Sequence, residues 1–383
     1  MSAGPLDGLK VVELAGLGPA PFASMVLAGL GADIIRVDRP TKVDRLGDPR
    51  HDLLNRGRPC IAVDLKNPEG VDAVRRLCDS ADVLIEGFRP GVAERLGLGP
   101  DELLARNPRL VYGRMTGWGQ DGPLANEVGH DINYIAITGA LAAVGRADSG
   151  PVPPLNLFGD FGGGAMLLVC GVLAALHERQ TSGQGQVVDA AMVDGVTMLM
   201  SMIYGFRNQS IWTDQRQNNM LDGGAPFYDT YECSDGGWIA VGAIEVQFFA
   251  AFEEGLGIGP IGPQLDKAQW PAMKARVAAR FKEKTRDEWA AIFAGTDACV
   301  APVLSMPEAA THPHVVARGA LVEEDGILTP GVAPRFSRTP GVITRPSSVS
   351  GQDTREGLSH WGFSDDEIAK LEASGAVVQA DFS

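Results

Sequence analysis

An α/β fold is predicted for this chain of 383 residues, with a doubly wound large domain and a smaller α+β domain. Three observations predict it. Apolar β-branched runs alternate with helix-length segments in the first half, the texture changes after about residue 226, and the length exceeds what one ordinary core holds.

The elements follow in chain order. Over residues 9–40, "LKVVEL", "AGLGPAPFASMVLAGLGA" and "DIIRVDRP" read as strand, turn with helix, and strand, a βαβ unit that implies a parallel sheet. "CIAVDL", the helix "PEGVDAVRRLCDSA" and "DVLIEGF" repeat the pattern, and "RLVYGRMTGWG" adds a strand. "GGGAMLLVCGVLAALHERQTSGQGQ" is a long, weakly polar helix stopped by a basic, glycine-rich end, and "GQVVDAAMVDGVTMLMSMIYGF" is a strand running into a second apolar helix. Periodicity fades over 210–226. "YDTYECSDGGWIAVGAI" then reads as a hairpin turning at Asp235, Gly236 and Gly237, with helices at "VQFFAAFEEGLGI" and "TRDEWAAIFAGT". The proline-rich tail from about Leu321 reads as loop, ending in a helix at "SDDEIAKLEAS" capped by Ser364. The boundaries expected are a large domain over 1–205, a linker over 206–225, a small domain over 226–320, and a return segment over 321–383 that packs on the large domain with its C-terminal helix.

Composition narrows the function. A formal net charge of -15 and a pI near 4.9 argue against nucleic acid and membrane surfaces, so an anionic ligand needs a local cluster of cations. Five scattered cysteines form no CxxC pair, which implies reduced thiols. The N-terminus "MSAGPLDGLKVVEL" has no basic region followed by an apolar core, no apolar run reaches membrane-spanning length uninterrupted, and "ADFS" carries no address signal, so a cytoplasmic location is expected.

The candidates for chemistry each carry a plain alternative. Gly16 and Gly18 after the first strand, with Asp38 closing the second, invite a dinucleotide reading, but Pro21 stands at the third glycine position and a structural turn fits better. Arg36, Arg39, Arg45, Arg50, Arg56, Arg58, Lys66, Arg89 and Arg95 make a basic cluster. It either holds a phosphorylated ligand or snorkels from a surface, and the strand-end placement of "VDLK" and "EGFRPG" favours the ligand. Asp160, before a glycine triplet, is either a helix N-cap or a carboxylate that a substrate can approach. His130 opens "GHDINYIAITG", with Gly129 before it and Asp131 and Asn133 in a first helical turn. A helix start favours a neutral imidazole able to act as a base, against the ordinary role of a core or surface histidine. No spacing matches a metal site, and no G-x-S-x-G elbow is present.

Taken together, "GLKVVELAGLGPAPFASMVLAGLGADIIRVDRP", "NRGRPCIAVDLK", "EGFRPGVAERLGLGP", "RMTGWGQDGP", "PPLNLFGDFGGGAM", "GQVVDAAMVDG" and "PRFSRTPG" make the chain resemble the family III CoA transferases along nearly all its length. "GHDINY" and "GGAPFYDTY" are similar to the family's racemase branch, which acts on 2-methylacyl-CoA thioesters. The resemblance implies an interlocked homodimer with a site between the large domain of one chain and the small domain of the other. It implies CoA contacts from Arg39, from Val63, Asp64, Leu65 and Lys66, from Gly87, Phe88 and Arg89, from Arg95, and from Gly129, Asp131, Ile132, Asn133 and Tyr134. It also implies that His130 and Asp160 are the acid/base pair and that Glu245 orients the histidine. No cofactor is expected, CoA being part of the substrate, and the partners expected are a small acyl-CoA and a second copy of the chain. Racemisation needs proton removal from one face of the α-carbon and return to the other. The alternative within the family is CoA transfer with Asp160 as nucleophile; a non-catalytic CoA-binding protein and a dehydrogenase are the readings outside it.

Overall fold

The computed structural model describes residues 4–40, 51–324 and 326–381. Met1–Thr138, Leu155–Leu199 and Ala317–Ser383 form one unit, and Gly139–Pro154 with Met200–Val316 a second. The chain therefore enters the second unit twice, the first time by an excursion that no sequence pattern marked. Residues 210–226, where periodicity fades, belong to the second unit as a cross-braced loop. Buried Asn219 accepts the Thr213 N–H at 2.7 Å, and Asp222 accepts the Asn219 N–H at 2.8 Å.

The first unit is built on a seven-stranded sheet in the order Val377–Val378, β3 (Cys60–Val63), β2 (Asp33–Asp38), β1 (Lys10–Leu14), β4 (Val83–Glu86), β5 (Val111–Thr116) and β6 (Val187–Ala191). Strands β1 to β6 run parallel, and only Val377–Val378 is antiparallel, to β3. This is the doubly wound arrangement. Strand order reverses between β1 and β4, the place where such sheets open a crevice beyond their carboxyl ends.

The strands are apolar on both faces because both faces are covered. Val12, Leu14, Ile35, Ile61, Leu84 and Tyr112 pack under helix α2 (Pro68–Ser80) and the C-terminal helices. Val11, Ile34, Val83, Ile85 and Val111 pack under α1 (Pro19–Gly29). Asn67 caps α2, its side chain accepting the Glu69 N–H at 3.0 Å, with Pro68 at the first helical position, where its missing N–H costs nothing. The return segment closes on this unit. Asp353 and Thr354 accept the Cys60 and Ala62 N–H groups at 2.8 and 3.1 Å. Ser364 caps the last helix, its N–H returned to Glu367 at 2.8 Å. Part of the tail read as loop is instead an antiparallel hairpin, Leu321–Glu324 with Ile327–Pro330.

Between β5 and β6 lie α3 (Asp131–Ile137), a π-helical segment Leu157–Ala165, and α4 (Met166–Ser182), which ends on left-handed Gly183. After β6 comes α5 (Met192–Leu199). The π-helical segment and α4 form one continuous helix, Leu157–Ser182, long enough to cross a membrane, and its most apolar 18-residue window has a mean hydropathy of 1.8; Asp160 interrupts the apolar run, as the sequence reading has it. Leu168, Val169 and Val172 of this helix are buried with Val111 and Met115 of β5, as in a core helix.

The second unit carries the antiparallel sheet β7 (Tyr228–Glu232), β8 (Trp238–Gly242) and β9 (Val300–Val303). The β7–β8 turn falls on Asp235, Gly236 and Gly237, with Gly236 in the left-handed region. Helices α6 (Val246–Leu256), α7 (Trp270–Phe281) and α8 (Arg286–Phe293) supply an aromatic core of Phe249, Phe252, Phe281, Trp289 and Phe293. The phenylalanines of "FFAAFEEG" thus include core residues. Of the methionines of "TMLMSMIYGF", Met198 is 65% exposed and Met202 55% exposed.

Candidate active site

The carboxyl ends of the parallel strands collect most of the predicted residues. Arg39 follows β2, Val63 closes β3 and leads into Asp64, Leu65 and Lys66, and Gly87, Phe88 and Arg89 follow β4, with Arg95 one turn further on. Arg39, Lys66, Arg89 and Arg95 are exposed, and among the described residues none of the four forms an ion pair. The rest of the basic cluster has another task. Arg36 and Arg58 are buried and share the buried Glu13 of β1, at 2.9 Å from Arg36 Nη1 and 2.5 Å from Arg58 Nε, while Arg56 is buried beside Thr329. The ligand reading is therefore corrected for these three, which are held by internal partners. Arg45 and Arg50 lie outside the described residues.

A second buried carboxylate underlies the β4 loop. Glu86 accepts the Phe88 N–H at 2.6 Å and the Arg114 Nε at 3.0 Å, and burial pushes its carboxyl up to about 7 against these partners. The sequence signal for both Glu13 and Glu86 is one acidic residue inside an apolar strand, in "VVELA" and "VLIEG". A buried charge must find partners, and here the partners shape the strand ends.

Asp160 is not a helix N-cap. It lies inside the π-helical segment, whose start is Asn156, and the Asn156 side-chain amide donates to Asp160 Oδ2 at 3.0 Å. The glycine triplet has a packing reason of its own. A β-carbon on Gly163 would lie 2.7 Å from the Val196 backbone N, and one on Gly195 of α5 would lie 1.8 Å from the Gly163 carbonyl oxygen. Close backbone contact of this kind holds the wide π turn against α5, and π turns recur at functional sites. On its other side the segment meets α1, where Phe161 stacks on Phe22 at 4.5 Å.

The turn after β1 ends at Gly18, which is left-handed and precedes Pro19 at the start of α1. The Asp160 carboxylate sits at this helix start, so the site of a dinucleotide diphosphate is already faced by an anion. Gly87 of the β4 loop lies beside the same helix, near Ala20.

His130 is the exposed N-cap of α3, its N–H held by Asn133 Oδ1 at 3.0 Å. Asp131, next in the chain, is buried. Its Oδ2 accepts the N–H groups of Gly159 and Asp160 at 2.7 and 2.8 Å, so the start of α3 is tied to the segment that carries Asp160. Burial raises the Asp160 carboxyl above the ordinary range; Asn156 opposes the rise, Asp131 adds to it, and His130 opposes it. Ile132 is exposed on α3, while Tyr134 is buried, edge-on to Trp118 at 4.7 Å with its hydroxyl on the Gly129 carbonyl. Gly129 has a packing reason too, since a β-carbon there would lie 2.7 Å from the Tyr134 ring. Burial foremost, then Asp160, raises the Tyr134 phenol, and Arg89 counters. His130, Asp160, Tyr134 and Arg89 thus share one electrostatic neighbourhood. Glu245 belongs to the second unit, where it is exposed and starts α6. Sequence reasoning singles out neither Glu13 nor Glu86, and it names Asp131 as a CoA contact without the brace to Gly159 and Asp160.

The chain belongs to CoA-transferase family III, whose family model matches residues 6–354. It is 46% identical over 380 residues to the alpha-methylacyl-CoA racemase of Mus musculus, covering 98% of each chain. Its identity to the alpha-methylacyl-CoA racemase of Homo sapiens is 45%, over 97% of each. Among solved structures it is similar to a CAIB/BAIF family protein from Brucella suis, with a TM-score of 0.81, 27% identity, and coverage of 94% of this chain and 99% of that one.

Proposed function

We propose that this protein is an isomerase that epimerises 2-methyl-branched acyl-CoA thioesters at the α-carbon. The observation that carries the reading is the Asp131 brace, which joins His130 to Asp160, in a chain 46% identical to a racemase over nearly its full length. The thioester carbonyl acidifies the α-carbon. His130, neutral, takes the α-proton from one face, and Asp160, protonated, gives a proton to the other; the opposite epimer exchanges the roles. Burial of Asp160 supports its carrying a proton nearer neutrality than a free carboxylate does. The enolate oxygen between the two transfers needs donors. The backbone N–H groups of the first turn of α3, around Asp131, are the candidates, one such donor being worth about 2.7–4 kcal/mol.

Arg39, Lys66, Arg89 and Arg95 hold the phosphates of CoA in this reading, and the Val63–Leu65, Gly87–Phe88 and Gly129–Tyr134 backbones line it. Two copies form a homodimer in which Glu245 orients His130, and the exposed Met198 offers the acyl chain an adaptable contact. The step needs no cofactor, CoA being part of the substrate. The alternative, CoA transfer through Asp160 as nucleophile, rests on family membership and gives His130 no role. Chiral separation of the acyl-CoA after incubation of a single epimer without any carboxylic acid tests the reading. Appearance of the second epimer is expected; its absence, with CoA transfer on adding a carboxylate acceptor, selects the alternative.

A further inference from the structure

Asp131 stands next to one member of the proposed acid/base pair and reaches the other. Its Oδ2 accepts both the Gly159 and the Asp160 N–H, and the residue is only 7% exposed. The fit at Gly159 is close, since a β-carbon there would lie 2.5 Å from Asp131 Oδ2. The second oxygen, Oδ1, is buried with no hydrogen-bond partner. A neutral acceptor would hold two N–H groups without leaving a buried carboxylate oxygen unsatisfied, so the charge itself calls for a reason.

We infer that Asp131 is a positioning residue for the proposed epimerisation, its carboxylate locking the start of α3 to the π-helical segment and so fixing Asp160 relative to His130. The inference rests on the proposed acid/base reading for its catalytic consequence, while the brace is independent of it. The charge has a second effect. A fixed anion beside Asp160 opposes ionisation of that carboxyl and so helps it retain a proton.

The groups acting on Asp160 come from the elements packed against it. From α3 these are Asp131 and His130, with the Tyr134 phenol feeling Asp160 in turn; Asn156 adds an uncharged donor. Helix α1 carries no titratable side chain, and those of α4 begin at Cys170, beyond its first turn. Asp194 of α5 and Arg114 of β5 act instead on Asp189 of β6.

Two variants separate the effects. Asp131→Asn keeps an oxygen for the two N–H groups and removes the charge, whereas Asp131→Ala removes both. In aspartate labelled with carbon-13 at the carboxyl, the Asp160 resonance, assigned with Asp160→Asn, is titrated by NMR in wild type and in D131N. The same samples are assayed for exchange of the α-proton of a 2-methylacyl-CoA. The Asp160 midpoint is expected to fall in D131N by about half a pH unit or more, with the matching limb of the exchange profile following it. In D131A kcat is expected to fall by about 100-fold, with KM changed by less than about threefold, as displacement of a reacting group by about 1 Å does. An unmoved Asp160 midpoint in D131N overturns the inference, as does wild-type kcat in D131A. If D131A does not fold, the D131N titration decides alone. If the midpoint moves while the wild-type protein exchanges no α-proton, the brace stands and the epimerase reading fails.

Discussion

Gly18 and Asp160 face each other so closely that a β-carbon on the glycine would lie 3.0 Å from the aspartate Oδ2. The carboxylate rests against bare backbone at the start of α1, and Gly18 has a left-handed φ of 68°. Gly18→Ala therefore meets both a conformational cost of about 1–2 kcal/mol and displacement of the proposed proton carrier. Reduced thermal stability is expected, together with a kcat loss larger than that stability change explains. Melting temperature and kcat measured on one preparation check this.

Asn156 tests the tuning of the same carboxyl. Its amide donates to Asp160 Oδ2 and so favours the charged form. Asn156→Ala removes that preference, and the raised pKa of Asp160 moves further up. The Asp160 ionisation in the pH dependence of kcat/KM is expected to shift to higher pH. An unshifted profile shows that this ionisation does not govern the rate.

The four exposed cations beyond β2, β3 and β4 predict a split between binding and chemistry. Arg39→Ala and Arg89→Ala are expected to raise KM for the acyl-CoA several-fold with little change in kcat, and to weaken its salt dependence. Steady-state kinetics at low and high ionic strength measure this, because exposed charge–phosphate attraction is screened by salt.

Arg58 behaves differently although it is the same residue type. It is fully buried against Glu13, so Arg58→Ala leaves a buried carboxylate short of its partner, at a cost of about 3–5 kcal/mol. Urea unfolding of the variant checks the figure. Arg39→Ala, at an exposed position, is the control and is expected to unfold like wild type.

The contrast between Arg58 and Arg39 also marks where sequence reasoning stops. The β1–α1–β2 unit is legible because a parallel strand buried on both faces writes an unbroken apolar run, and Val11 and Val12 do face opposite cores. Helix α4 ends at the glycine the pattern indicates, Gly183. Which arginines meet solvent depends instead on tertiary pairing with Glu13, and a list of basic residues carries no such information. The Gly139–Pro154 excursion is equally silent, because its short helix Ala140–Ala143 lacks a full amphipathic period.

At the candidate site the residue types were legible and their supports were not. His130 and Asp160 stand out through their glycine-rich surroundings, yet Gly129 and Gly163 are glycines for packing against Tyr134 and α5. Asp131 reads in sequence as a polar residue of a first helical turn and, by the resemblance, as a CoA contact, not as a brace. Only the fold shows its side chain meeting Gly159, 28 positions further along the chain.

The most direct measurement is proton NMR of one epimer of a 2-methylacyl-CoA incubated with the protein in D2O, with neither carboxylic acid nor nicotinamide added. The account predicts loss of the α-proton signal together with appearance of the other epimer, both abolished in His130→Ala and Asp160→Ala. An α-proton that persists unexchanged, with the starting epimer intact, contradicts it.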